Sequence, residues 1–161
     1  MLVVVSGAPG SGKPTLARSL SREIGLLLLS RDRLKEVLLD ALGAADRAAS
    51  PEIGRASFAL LFEVAGTLLD ASVGVIVESN FRRGVSEPEL RALTVKAPTV
   101  LLHCQTRHDE TVHRYAERAA RIERHAGHFD SEAISELLRD SKRGATNRLN
   151  STCQRSRSTR R

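Results

Sequence analysis

A three-layer α/β fold with a parallel sheet is the architecture this sequence predicts, and three observations carry it. Four short apolar runs, at 2–6, 26–29, 73–77 and 99–104, are continuous rather than alternating, as strands buried on both faces read. Helical patterns separate them, so each strand leads into a crossover, right-handed by the general rule, rather than into a hairpin. Polar clusters fall directly after the strands, at the carboxyl edge where such sheets bind ligands.

In chain order, Leu2 to Ser6 is the first strand. A helix from about Lys13 to Ile24 follows, with Leu16, Leu20 and Ile24 four residues apart and Gly25 as its stop. Leu26 to Leu29 is a second buried strand whose end delivers Ser30-Arg31-Asp32-Arg33 onto a helix with Leu34, Val37, Leu38 and Ala41 as its apolar face. Gly43 to Pro51 reads as a polar, alanine-rich loop. The helix after it places Phe58, Leu61, Phe62, Ala65, Leu68 and Leu69 on one side, the spacing of a core-packing face. Val73 to Val77 is a third strand, ending in Glu78-Ser79-Asn80-Phe81. A short helix is opened by the capping-box pattern Ser86-x-x-Glu89, Thr99 to Cys104 is a fourth strand, and a basic helix carrying Val112, Tyr115, Ala116 and Ala119 starts near Asp109.

Composition limits the functional classes. With 161 residues, 41% of them apolar and 27% charged, the chain reads as one soluble globular domain. No apolar run approaches the roughly 18 residues of a membrane span. The N-terminus lacks a basic stretch and a signal-peptide core, and Cys104 and Cys153 form no disulfide or metal-ligand pattern, so the expected location is the cytoplasm. The net charge of +6 resides in the last segment: residues 141–161 hold seven cations and no carboxylate. Removing those seven from the 25 basic residues leaves 18 against 19 acidic ones, a net of −1. The reading is a domain over 1–140 and a basic tail over 141–161, whose Ser, Thr, Asn and Arg content disfavours ordering. Nucleic-acid binding is expected only through that tail, and would be salt-dependent.

The chemistry begins at Gly7-Ala8-Pro9-Gly10-Ser11-Gly12-Lys13-Pro14-Thr15. A β-branched strand, a glycine loop and a lysine opening a helix make a phosphate cradle: loop N–H groups converge on an anion and the lysine reaches the β and γ phosphates. The expected nucleotide-binding set is Gly7, Gly10, Ser11, Gly12, Lys13 and Thr15. Where G-x-x-x-x-G-K-[ST] calls for a Mg²⁺-binding hydroxyl, the chain has Pro14. Proline fits the first turn of a helix, but it removes one N–H and that hydroxyl, and Thr15 lies about 100° around the helix. Asp32, beyond the second strand, is the candidate general base for an acceptor hydroxyl. Its place at a helix start is also what capping and the helix dipole favour. Glu78 can hold Mg²⁺ through water, or be a strand-end acid facing solvent, and Asn80 two residues on can orient substrate. Arg114, Arg118, Arg121 and Arg124 recur at helical spacing, as a lid near 114–130 or a solvated basic face would require.

The cradle with Thr15-Leu16-Ala17, followed by Ser30-Arg31-Asp32-Arg33-Leu34-Lys35, resembles the small P-loop kinases grouped with the kinase domain of bacteriophage polynucleotide kinase. Chloramphenicol phosphotransferase and the zeta toxins are more distant relatives, and many bacterial members are known only as AAA-family ATP-binding proteins. Val75 to Phe81 and Arg124-His125-x-Gly127-His128-x-Asp130 look most like that branch. The resemblance covers about residues 1–140. It implies a P-loop NTPase fold, ATP and Mg²⁺ as cofactors, phosphoryl transfer to a hydroxyl of a small molecule or nucleotide, and Lys13, Asp32, Arg118, Arg121 and Arg124 as catalytic residues. It also puts Lys35 where an arginine often contacts the acceptor's phosphate. The chain departs from that pattern at Pro14 and at its end, where it passes from a helix near Ile134 to Arg139 into the tail with no β-branched run. The expectation is therefore a sheet lacking the family's last strand and helix, and a catalytically impaired nucleotide-binding module stands as the alternative to an active kinase.

Overall fold

The computed structural model describes residues 1–42, 50–82 and 84–105. Among them the elements run β1 (Leu2–Gly7), α1 (Lys13–Ile24), β2 (Leu27–Ser30), α2 (Arg31–Leu42), α3 (Ser50–Asp70), β3 (Val75–Glu78), α4 (Glu87–Thr94) and β4 (Thr99–Cys104). The strands form one sheet in the order β2-β3-β1-β4, and each neighbouring pair is parallel. The parallel three-layer α/β architecture is the one expected.

β1 is central because its side chains are apolar on both faces. Strand alternation sends Leu2 and Val4 to one side, where they pack with Val75 and Val77 of β3 against Leu61, Ala65 and Leu69 of α3 and Leu93 of α4. Val3 and Val5 go to the other side, with Ile76 of β3 and Ala17 of α1. Each large aliphatic side chain buried this way stabilises the fold by about 1.5–3 kcal/mol. Phe58, Phe62 and Phe81 extend the first core as a cluster with ring centroids 6.1–6.3 Å apart. No helix among the described residues is long and apolar enough to cross a membrane.

Several boundaries and faces differ from expectation, each for a physical reason. β2 is an edge strand paired only with β3 in the described sheet, so its apolar run is not buried on both faces and Leu27 is 54% exposed. On α2 the buried positions are Lys35 and Leu39, one turn apart, while Val37 is 48% exposed. The helix is turned toward α3, and Lys35 buries its aliphatic stem there while its ammonium donates to Ser50 Oγ at 2.7 Å. Pro51 belongs to α3 rather than to the preceding loop; the first helical turn tolerates proline because its N–H has no intrahelical partner.

β3 starts at Val75, since Val73 N–H still closes onto the α3 carbonyl of Leu68 at 2.8 Å. Glu78 consequently lies inside the ladder rather than after it. The capping box at α4 does not form: Ser86 has helical φ and ψ of −97° and −1°, not the extended conformation that aims a cap hydroxyl at the first turn, and its side chain makes no cap hydrogen bond. The basic helix from Asp109, the lid near 114–130 with Arg118, Arg121 and Arg124, the helix near Ile134 to Arg139 and the tail over 141–161 lie outside the described residues.

Candidate nucleotide site

The loop between β1 and α1 has the shape its glycines permit. Gly7 leaves β1 at φ +147°, and it lies against β4 so closely that a Cβ there would collide with the Cys104 carbonyl oxygen. Gly12 caps α1 in the left-handed region, with φ 84° and ψ 7°. Between them Ser11 N–H turns back to the Ala8 carbonyl at 3.2 Å. Lys13 Nζ folds over the loop and donates to the same carbonyl at 2.8 Å. The lysine is 6% exposed, so its charge sits within the loop rather than in solvent. Ser11 Oγ is buried with no hydrogen-bond partner among the described residues, a polar group on the loop left for an outside acceptor or donor.

Pro14 is the second residue of α1, and Thr15 beside it is exposed, its own N–H returning to the Gly12 carbonyl at 3.1 Å. The buried Lys13 ammonium and the Ser11 hydroxyl, unpartnered among the described residues, fit a nucleotide's phosphates, while α1 offers no hydroxyl at the position next to the lysine.

Glu78 is the most constrained acid of the described chain. It is 1% exposed, and in the sheet it stands between Val5 of β1 and Ser30 of β2. Ser30 donates its hydroxyl to Glu78 Oε2 at 2.6 Å. Burial pushes the Glu78 carboxyl above the usual carboxylate range and the neighbouring Asp32 charge adds to that, while the Ser30 hydrogen bond and the Lys13 and Arg18 cations oppose it. A buried carboxyl beside a phosphate loop fits a role as a holder of Mg²⁺-bound water.

The raised value has a consequence for stability. Above the ordinary carboxylate range the unfolded chain releases this proton before the folded one does, so Glu78 makes the fold progressively less stable as pH rises toward its folded value. Glu78→Gln, which keeps an acceptor for Ser30, is expected to raise the thermal midpoint at pH 7 and to remove that part of the pH dependence; thermal unfolding followed by circular dichroism between pH 4 and pH 8, values chosen to bracket carboxyl titration, checks it. An unchanged midpoint at pH 7 would show that the buried charge is fully compensated.

Asp32 lies in the first turn of α2 with 43% of its side chain exposed, and Arg31 Nη1 is 3.4 Å from its Oδ1. Lys13 begins α1 after β1, Asp32 lies at the start of α2 after β2 and Glu78 ends β3, so the parallel sheet brings the three to its carboxyl edge, where the charges of Lys13 and Asp32 both act on Glu78. Cys104 is a fourth neighbour: burial pushes its thiol up, and the charges of Lys13 and Glu78 reach it. Asn80 follows β3 and is half-buried. Lys35, on the same helix as Asp32, donates to Ser50 at the start of α3.

Two partners were not singled out by sequence. Ser30 and Glu78 are 48 residues apart and meet only because β2 pairs with β3. Arg31 places its guanidinium 4.7 Å over the Phe58 ring, a contact between helices that no local pattern encodes.

A parallel sheet of order β2-β3-β1-β4, a glycine loop between the central strand and its helix, and a buried acid on the adjacent strand define a P-loop kinase-like protein. The chain belongs to the AAA domain family: the family model AAA_33 matches residues 2–143. Among solved structures it is similar to a candidate kinase from Chloroflexus aurantiacus J-10-fl, with 36% identity, a TM-score of 0.78, and coverage of 87% of this chain and 78% of that one. It shares its fold with a chain of the Pnkp1/Rnl/Hen1 RNA repair complex, at 20% identity and a TM-score of 0.61, over 94% of this chain and 50% of that one. It likewise shares the fold of shikimate kinase from Acinetobacter baumannii, at 17% identity and a TM-score of 0.52, over 88% of this chain and 76% of that one. No curated protein matches the chain.

Proposed function

We propose that the protein transfers the γ-phosphate of ATP to a hydroxyl of a small-molecule or nucleotide acceptor. The observation that carries this reading is the placement of Lys13 after β1, Asp32 after β2 and Glu78 at the end of β3, all at the carboxyl edge of the parallel sheet beside a glycine loop over which Lys13 folds. Lys13 and the loop amides hold and neutralise phosphate oxygens. Asp32, half-exposed at the start of α2, accepts the proton of the attacking hydroxyl as the new O–P bond forms and the bond to the β-phosphate oxygen breaks. Glu78, hydrogen-bonded by Ser30, would hold Mg²⁺ through water. Bound ATP with its Mg²⁺ supplies the phosphoryl group and the charge that polarises it. Asn80 and Lys35 are proposed to orient the acceptor, Lys35 by exchanging Ser50 for an acceptor phosphate, and Arg118, Arg121 and Arg124 to close over the transferring group.

The deciding experiment incubates the purified protein with γ-labelled ATP, Mg²⁺ and a panel of hydroxyl acceptors that includes sugars, shikimate and 5′-hydroxyl oligonucleotides. Asp32→Asn is expected to lower transfer by at least about a hundredfold while leaving ATP affinity within about twofold. Equal loss of transfer and binding would remove Asp32 from the base role. One observation favours a second reading. Pro14 denies the site both a hydroxyl and an N–H, as a nucleotide-binding module without turnover would tolerate. ATP affinity that does not change when Mg²⁺ is withdrawn would favour that reading over the kinase.

A further inference from the structure

Arg31 is placed where an arginine is electrostatically disfavoured. It is the first residue of α2, at the positive end of the helix dipole, a position that suits acids rather than cations. Its backbone location therefore does not account for it, and its side-chain contacts must. The guanidinium lies 4.7 Å over the face of Phe58, in α3. Nη2 is 3.4 Å from the Gly54 carbonyl oxygen, one α3 turn earlier. Gly54 leaves room for it: a Cβ at that position would stand 2.9 Å from Nη2. On its other side Nη1 reaches Asp32 Oδ1 at 3.4 Å. Nε is buried and has no hydrogen-bond partner among the described residues.

α3 thus holds the guanidinium, and the guanidinium faces the carboxylate of the next residue. Ser57 Oγ also donates to the Gly54 carbonyl, at 2.9 Å, which fixes the α3 side of the arrangement. We infer that Arg31 is a positioning residue for Asp32: clamped between Phe58 and Gly54, it biases the Asp32 carboxylate toward one rotamer at the sheet edge. The catalytic meaning of that role rests on the reading of Asp32 as the base, whereas the positioning itself is independent of it.

The test uses the full chain in three forms: parent, Arg31→Met and Arg31→Lys. Three-bond couplings from Asp32 Hα to its two Hβ protons report its χ1 population. The parent is expected to show one large and one small coupling. Arg31→Met, which keeps the stem against Phe58 and loses the cation, is expected to bring the two couplings measurably closer together. Arg31→Lys, which keeps a cation, is expected to restore most of the difference, a rescue that mere loss of packing would not produce. Hydrolysis of Mg-ATP with water as acceptor should fall roughly tenfold to a hundredfold in Arg31→Met, with KM for ATP within about twofold. Unchanged couplings in Arg31→Met would overturn the inference, as would equal averaging in Arg31→Met and Arg31→Lys. Should Asp32→Asn leave hydrolysis intact, the base reading fails by itself, and the couplings still decide what Arg31 does.

Discussion

Gly7→Ala is expected to destabilise the protein by about 3 kcal/mol or more and to weaken ATP binding by at least about tenfold, because overpacking and forced positive φ each cost roughly 1–3 kcal/mol. The added Cβ would run into the Cys104 carbonyl oxygen and would lie 2.8 Å from Ser11 Oγ and 3.1 Å from Cys104 Cβ. The serine hydroxyl can turn away. The carbonyl cannot, since Cys104 is held in register beside Gly7 at the end of the β1–β4 ladder. Relief must come from the loop, which moves the amides proposed to face phosphate. Gly84→Ala is the control: at φ +74° with nothing within 4 Å of its Cβ, it carries the backbone strain without the collision and should cost only about 1–2 kcal/mol. Urea unfolding followed by circular dichroism, with ATP binding by calorimetry, separates the two. Equal losses in both variants would show that conformation alone, not contact with β4, makes Gly7 a glycine.

The features legible in sequence are those in which cause and effect are neighbours in the chain. β1, its glycine loop and Lys13 are contiguous, so a run of valines, three glycines and a lysine carry strand, turn and helix start together. β4 is bounded by Pro98 and a polar exit and matches its expected limits. What was not legible depends on which elements become neighbours. Nothing in Leu26-Leu27-Leu28-Leu29 distinguishes an edge strand from a central one, and the exposure of Leu27 follows from sheet order. The apolar face assigned to α2 omitted Lys35, because counting apolar residues cannot see that a long stem is buried when its ammonium finds Ser50. The Ser86 pattern was correct in letters, but φ and ψ at Ser86 decide whether the hydroxyl can cap. For the site, the acid at position 78 was readable from its strand end, whereas its hydroxyl partner required knowing that β2 lies beside β3.

Pro14→Ser should make the site more active and the fold slightly less stable, a pair of opposite signs that few other changes would produce. In the unfolded chain proline restricts the backbone, so its replacement costs roughly 0.4–1 kcal/mol where the native conformation suits it. The first turn of α1 does suit it: Thr15 and Leu16 N–H groups both return to the Gly12 carbonyl at 3.1 Å, and proline at the second helical position interrupts neither bond. Against that small loss, serine restores an N–H at the loop edge and a hydroxyl one residue from Lys13. On the proposed reading Glu78 would reach Mg²⁺ only through water, so a hydroxyl from α1 would add a direct protein contact to the metal. The expected results are a thermal midpoint lower by a few degrees, ATP affinity that gains about tenfold from Mg²⁺, and phosphoryl transfer faster by about tenfold or more. Calorimetry with and without Mg²⁺, and labelled-ATP transfer in the same samples, read all three. A Pro14→Ser protein that binds ATP alike in both conditions would show that Pro14 is not what limits the metal, and would turn attention to Glu78, whose burial disfavours the charged carboxylate.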